Sequence, residues 1–118
     1  MIIAVPVTTG EQPEAHVDPR WGKAQDVAVA EVEDGAIKTW TIHHVDWATS
    51  HDEGTHGSHH ARIVRFLRAN DVEAVVIDHA GPPMINTMQK MGLAIATGAR
   101  GPARDAVLQA SALFADHD

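Results

Sequence analysis

The chain has 118 residues, 44% of them apolar, which fits one domain with a single hydrophobic core over residues 1–118. Its formal charge of −7 argues against a duplex nucleic-acid binder and against docking on anionic membranes, since both use basic surfaces. The absence of cysteine excludes disulfides, cysteine nucleophiles, thiolate zinc sites and cysteine-held iron–sulfur clusters.

The chain starts with a short apolar run, residues 2–7, which is typical of a buried strand. No positive charge precedes it as in a secretory signal, and no apolar run reaches the length of a membrane span. We therefore expect a soluble cytoplasmic protein. Residues 8–22 are polar and rich in Gly and Pro, so we predict a long loop.

Two alternating runs follow, residues 26–33 and residues 37–42, and Asp34-Gly35 lies between them. An Asp-Gly pair between alternating runs is the strongest short-range signal for a β-hairpin. The sequence therefore predicts the second and third strands as one antiparallel pair.

The second half of the chain alternates between helices and strands. Residues 59–70 carry their apolar positions on one helical face. Residues 72–78 read as a buried strand, and the helix after them starts at prolines and ends at Gly92. Residues 93–97 form a short strand, and residues 98–102 lead into a last helix.

This order of elements predicts an α/β fold with a five-stranded mixed sheet and three helices. Parallel strands joined by helices need right-handed crossovers, and the hairpin forces one reversal of direction. The simplest sheet has the order 3-2-1-4-5, with only the second strand antiparallel to the others.

Histidine is concentrated in residues 46–62, which suggests a metal site. The histidines of this segment are His51, His56, His59 and His60. Imidazole is a common ligand for borderline transition metals, and His56 and His60 are spaced to share one helical face. His79, at the end of the fourth strand, is a fifth candidate ligand. The alternatives are a polar surface loop that happens to be rich in histidine and a strand-closing role for His79.

The predicted topology brings candidate ligands to one edge of the sheet. The residues expected there, besides the histidine-rich segment, are His16, Arg20, His79 and Arg100. Open α/β sheets bind ligands outside the carboxyl ends of their strands, where helix N-termini also offer unpaired N–H groups. Imidazoles, arginines and helix N-termini together suit an anion or an anionic metal cluster. Trp21 is expected to form a lid over this edge, with ligand contact as the alternative.

Four short motifs carry a family resemblance. They are residues 17–24 (VDPRWGKA), residues 54–57 (GTHG), residues 78–82 (DHAGP) and residues 98–101 (GARG). In this order and spacing the chain resembles the dinitrogenase iron–molybdenum cofactor biosynthesis family, whose members are nitrogenase accessory factor-like. The resemblance implies a ribonuclease H-like fold. It also implies binding or carrying of an iron–molybdenum cofactor, its precursor or another molybdenum- or iron-sulfide cluster, without catalysis.

The loop motif of that family is commonly His-Phe-Gly-Arg-Ala, and the corresponding residues here are Arg20, Trp21, Gly22, Lys23 and Ala24. Arg20 thus replaces a histidine; it cannot ligate a metal but can pair with an anionic cluster. We expect cofactor contacts from Arg20, Trp21, Gly22, Gly81 and Arg100. We expect metal ligation from His51, His56, His59, His60 and His79.

Two other classes of function remain open. The protein could bind or traffic a single Zn, Ni or Cu ion through the histidine-rich loop. A metal-dependent hydrolase is less favoured, because a two-metal nuclease needs carboxylates on the first and fourth strands, and only Asp78 is present. The expected partners are a metal cluster or ion and a cluster donor or acceptor protein, and the chain is a monomer or homodimer.

Overall fold

The computed structural model describes residues 1–8, 14–48 and 56–115, without the side chains of residues 56–58. Within these residues the strands are β1 (Ile2–Thr8), β2 (His16–Val17), β3 (Asp26–Glu33), β4 (Ala36–His44), β5 (Ala74–Val76) and β6 (Ala94–Ala96). The α-helices are α1 (His56–Ala69), α2 (Pro82–Lys90) and α3 (Ala103–Ala115), and a 3-10 helix covers Trp21–Lys23.

The strands form one mixed sheet with the order β4-β3-β1-β5-β6, and β2 pairs with β1 off this path. β3 is antiparallel to both β1 and β4, whereas β5 is parallel to β1 and β6. The mixed α/β class is thus as predicted, and the five strands along the path follow the expected succession. The prediction of a five-stranded sheet was wrong, because the described residues form six strands.

The additional strand is β2, in the segment predicted as a loop. Val17 is the register partner of Val7 in β1, and its N–H donates to the carbonyl of Gly101 at 2.9 Å. A two-residue strand leaves no alternating pattern in the sequence. Distant residues fix it, so local reasoning from the polar composition could not detect it.

The hairpin between β3 and β4 turns at Asp34 and Gly35. Their φ angles are 53° and 75°, so both residues take the left-handed conformation of a type I′ turn. This conformation explains the Asp-Gly pair that the sequence analysis used to predict the hairpin.

Helices cover both faces of the sheet, and successive strand residues alternate between them. Val5 and Val7 pack in the cluster that contains buried residues of α3. Ala4 packs in the other cluster with Trp21 and with buried residues of α1 and α2. Trp21 therefore belongs to the layer formed by α1 and α2.

The carboxyl ends of β1, β5 and β6 meet at one edge of the sheet, which we call the carboxyl edge. The N–H of Gly98 donates to the backbone carbonyl of Asp78 at 2.7 Å, and the N–H of Ala103 donates to the backbone carbonyl of Ala15 at 2.9 Å. These bonds fasten the loops that follow the strands to one another. Among the described residues, no helix has the length and apolar character needed to cross a bilayer.

Candidate functional site

A pocket opens at the carboxyl edge between the 3-10 helix, α1 and α2. It is lined by Trp21, Gly22, His59, His60, Ala80, Gly81, Pro83 and Met84. Its volume of about 240 Å³ lies below the usual range of about 300–1,000 Å³ for drug-sized ligands. A pocket of this size suits a compact inorganic group.

Two histidines of the first turns of α1 line this pocket together. His59 is buried and His60 is half-buried, and their ring centroids lie 6.2 Å apart. Gly22 approaches closely, since a Cβ built on it would lie 3.5 Å from His59 Nε2. The pocket therefore presents two imidazoles beside a residue without a side chain.

Trp21 forms a buried wall of the pocket. Only 1% of it is exposed, and its ring meets Trp47 edge-on with centroids 5.0 Å apart. Its Nε1 is buried and has no hydrogen-bond partner among the residues that the structure describes. Indole N–H is a donor only, and an unsatisfied buried donor costs roughly 1–3 kcal/mol. Trp21 covers the sheet edge, as expected of a lid, and also lines the pocket.

The first helical residues of α2 have few backbone donors to offer to this pocket. Its first two residues, Pro82 and Pro83, have no N–H, while the N–H groups of Met84 and Ile85 donate to Gly81 at 3.1 Å. The proline pair that starts the helix therefore removes two of the unpaired N–H groups that were expected at this helix end.

The two arginines predicted to bind a cofactor each lie beside an aspartate. Arg20 donates through Nε to Asp18 Oδ1 at 3.3 Å, and Arg100 does so to Asp78 Oδ1 at 3.4 Å. Both arginine side chains are largely exposed, whereas both aspartates are mostly buried. Neither arginine lines the pocket that contains His59 and His60.

The five predicted metal ligands fall into three groups. His59 and His60 meet at the pocket. His79 is 75% exposed, does not line the pocket and has its Nδ1 4.0 Å from Asp78 Oδ2. His51 and the side chain of His56 lie outside the described residues. Within the described part of the chain, no group of three His, Cys, Asp or Glu side chains could hold a metal ion.

Sequence reasoning gave no role to Asp18, which organises the loop before the pocket. Asp18 is 2% exposed, and its Oδ1 accepts the backbone N–H of Arg20 at 2.9 Å. The Asp18-Pro19 pair was the available signal, because Asp before Pro favours the start of a turn. Met84 is buried in the core cluster with Trp21 and also lines the pocket. Ala80 lies in the motif of residues 78–82 but was given no role, and no signal pointed to Pro83 as a pocket residue.

Solved structures with the same fold are known. The apo orange protein of Desulfovibrio gigas is 22% identical with a TM-score of 0.67, covering 98% of this chain and 88% of that chain. A NifB-like protein of Thermotoga (TM1290) is 19% identical with a TM-score of 0.69, covering 94% and 87%. The protein PH0822 is 17% identical with a TM-score of 0.72, covering 94% and 89%. At these identities the likeness establishes the fold alone.

A search among curated proteins finds no significant match. The sequence pattern of a family does match, namely the one described as dinitrogenase iron–molybdenum cofactor, over residues 1–113. This match covers nearly the whole chain and agrees with the resemblance carried by the four motifs. The chain therefore belongs to the dinitrogenase iron–molybdenum cofactor family.

Proposed function

We propose that this protein is a non-catalytic domain that binds and carries an anionic metal–sulfur cluster, of the iron–molybdenum cofactor type or a related molybdenum- or iron-sulfide. Membership of the dinitrogenase iron–molybdenum cofactor family supports this class of cargo. The observation that carries the proposal is the small pocket at the carboxyl edge, where His59 and His60 lie beside Trp21. Imidazoles bind the metal, and the compact volume suits a small cluster.

The donor set favours a cluster over a bare ion. The chain has no cysteine, and in the described residues only two of the predicted ligands, His59 and His60, line the pocket. A cluster that arrives with its own sulfide needs few protein ligands, and imidazole replaces thiolate at one iron of Rieske clusters. A bare ion is usually held by three or four protein ligands.

The proposal includes no reaction. A two-metal nuclease needs carboxylates on adjacent strands, but β1 carries none, and Asp78 after β5 is paired with Arg100. We also assign the fold to the ribonuclease H-like class on the order of its sheet. In this role the protein would work in the cytoplasm between a cluster donor and an acceptor.

A second candidate function is the binding or trafficking of one Zn, Ni or Cu ion. The observation that favours it is the contact between the rings of His59 and His60 at one pocket. Here too the protein would be a carrier and not an enzyme.

Metal and sulfide analysis of protein purified anaerobically from its native host distinguishes the two candidates. A cluster carrier should contain Mo or Fe together with acid-labile sulfide and should absorb visible light. A colourless protein with one equivalent of Zn would contradict the cluster proposal and support the second candidate.

Variants of the purified protein then locate the site. Replacing both His59 and His60 by Ala should abolish the uptake of tetrathiomolybdate, a simple molybdenum–sulfide anion. His79→Ala is the matched control, because His79 is exposed and does not line the pocket. Equal losses in both variants would mean that the pocket is not the site.

A further inference from the structure

Trp21 combines deep burial with a hydrogen-bond donor that has no acceptor. Its Nε1 has no partner among the described residues, although the side chain lines the pocket. Buried tryptophans usually find an acceptor for this N–H. The exception therefore calls for a physical reason at this position.

Packing alone does not require an indole here. The ring of Trp21 contributes an edge-to-face contact with Trp47, which in turn contacts Phe66 at 5.6 Å. A phenylalanine could make such aromatic contacts without burying a polar group. Besides its larger ring, the indole supplies an N–H that phenylalanine lacks.

Other donors are scarce on the opposite side of the pocket. Pro82 and Pro83 have no N–H, and the next two N–H groups of α2 are bonded to Gly81. An anionic ligand therefore finds no N–H on the first two helical residues of α2. The indole N–H of Trp21 is a buried side-chain donor in the described wall of the pocket that has no acceptor.

We propose that Trp21 Nε1 donates a hydrogen bond to a sulfide of the bound metal–sulfur cargo, and that binding of the cargo satisfies this donor. The inference rests on the proposed function and adds a residue that selects the cargo. Sulfide on an anionic cluster accepts a hydrogen bond, whereas a bare metal cation cannot. Trp21 thus favours sulfide-bearing cargo over free ions.

The position of Nε1 also implies a rearrangement on binding. This atom has almost no water-accessible surface, so the groups that cover it must move before a sulfide can reach it. Uptake of the cargo should therefore be coupled to a local change around Trp21.

Trp21→Phe tests the donor, because it keeps an aromatic ring and removes the N–H. We expect its affinity for tetrathiomolybdate to fall roughly tenfold or more, as for a lost hydrogen bond to a charged group. Affinity for Zn²⁺ should change less than about twofold on the same grounds, since a cation accepts no hydrogen bond. Trp47→Phe is the matched control, being equally buried in the same cluster but outside the pocket lining. It should bind tetrathiomolybdate like the wild type.

The indole N–H signals of the ¹⁵N-labelled wild-type protein provide a second readout that needs no variant to fold. The chain has three tryptophans, and through-bond assignment of the wild-type protein identifies their signals. Addition of tetrathiomolybdate should move the Trp21 proton signal downfield and leave that of Trp40 in place. This measurement decides the question if Trp21→Phe does not fold.

The possible failures are distinguishable. If the wild type binds no tetrathiomolybdate, the proposed function is overturned, and the inference with it. If the wild type binds it while the Trp21 signal stays unmoved and Trp21→Phe binds equally well, only the role of Trp21 is overturned.

Discussion

Gly22 leaves space beside a buried ring nitrogen of His59 at the pocket wall. In Gly22→Ala the new methyl group would lie 3.5 Å from His59 Nε2, an ordinary contact that needs no rearrangement. Stability should therefore change by less than about 0.5 kcal/mol, or rise slightly because alanine restricts the unfolded chain. Binding of tetrathiomolybdate should weaken clearly, since the methyl group shields the imidazole. Thermal unfolding and spectroscopic titration measure the two effects.

The matched control for this substitution is Gly81→Ala. Gly81 lines the same pocket, and a Cβ there would lie 3.8 Å from Pro83 Cδ, away from His59. If both variants bind equally well, access to His59 is not what Gly22 provides.

Asp18 should contribute more to stability than a half-buried aspartate whose partner is exposed. Asp18→Ala removes a buried acceptor and leaves the N–H and guanidinium of Arg20 without this partner. We expect the free energy of unfolding to fall by about 1–3 kcal/mol. Asp26→Ala breaks the exposed contact with His44 and should cost less than about 1 kcal/mol. Urea denaturation of both variants measures the two losses in the free energy of unfolding. Equal losses would contradict this ranking.

At the residue scale, the sequence predicted part of the arrangement of residues around the pocket. The expectation that His59, His60 and Gly81 share one place agrees with the pocket lining, because helix and strand ends fix their positions. The arginines lie elsewhere, since Arg20 and Arg100 turn to Asp18 and Asp78. Side-chain pairing of this kind depends on local charges in three dimensions, which spacing along the chain does not encode.

At the element scale, the turn between β3 and β4 offers a test of backbone conformation alone. Gly35 has a φ of 75°, and a Cβ built there meets nothing within 4 Å. Gly35→Ala should lower the free energy of unfolding by about 1–2 kcal/mol, because L-residues are disfavoured in the left-handed region. Gly22→Ala serves as the control, since Gly22 has no such φ. An unchanged midpoint of thermal unfolding for Gly35→Ala would contradict this assignment of the turn.

The elements that sequence predicted are those with a local signal of adequate length. β3 and β4 span eight and nine residues, and their turn carries Asp34-Gly35. β2 and the 3-10 helix at Trp21–Lys23 were missed because they lie in a polar segment without the apolar run that indicated the equally short β5 and β6. Contacts with Gly101 and with the α1 layer hold them, and neither leaves a periodic pattern.

At the scale of the whole molecule, net charge opposes the arrival of the proposed cargo. The formal net charge of the protein is −7. Its electrostatic field therefore repels an anionic cluster and attracts a divalent cation. The Debye length falls from about 30 Å at 0.01 M salt to about 10 Å at 0.1 M. Added salt should therefore speed the association of tetrathiomolybdate and slow that of Zn²⁺. Stopped-flow absorbance follows the first and a competing indicator dye follows the second.

Binding measurements on two double variants decide whether Arg20 and Arg100 act locally at the carboxyl edge. Replacing both by Ala lowers the formal charge from −7 to −9. Replacing the exposed Arg65 and Arg68 of α1 lowers it equally, but Arg68 lies in the last turn, away from the end that carries His59. If the edge arginines attract the cluster, their loss should weaken tetrathiomolybdate binding roughly tenfold or more, as when charged hydrogen bonds are lost. It should leave Zn²⁺ affinity unchanged or slightly higher. If the two double variants have identical affinities for tetrathiomolybdate and Zn²⁺, Arg20 and Arg100 act only through the net charge of the protein.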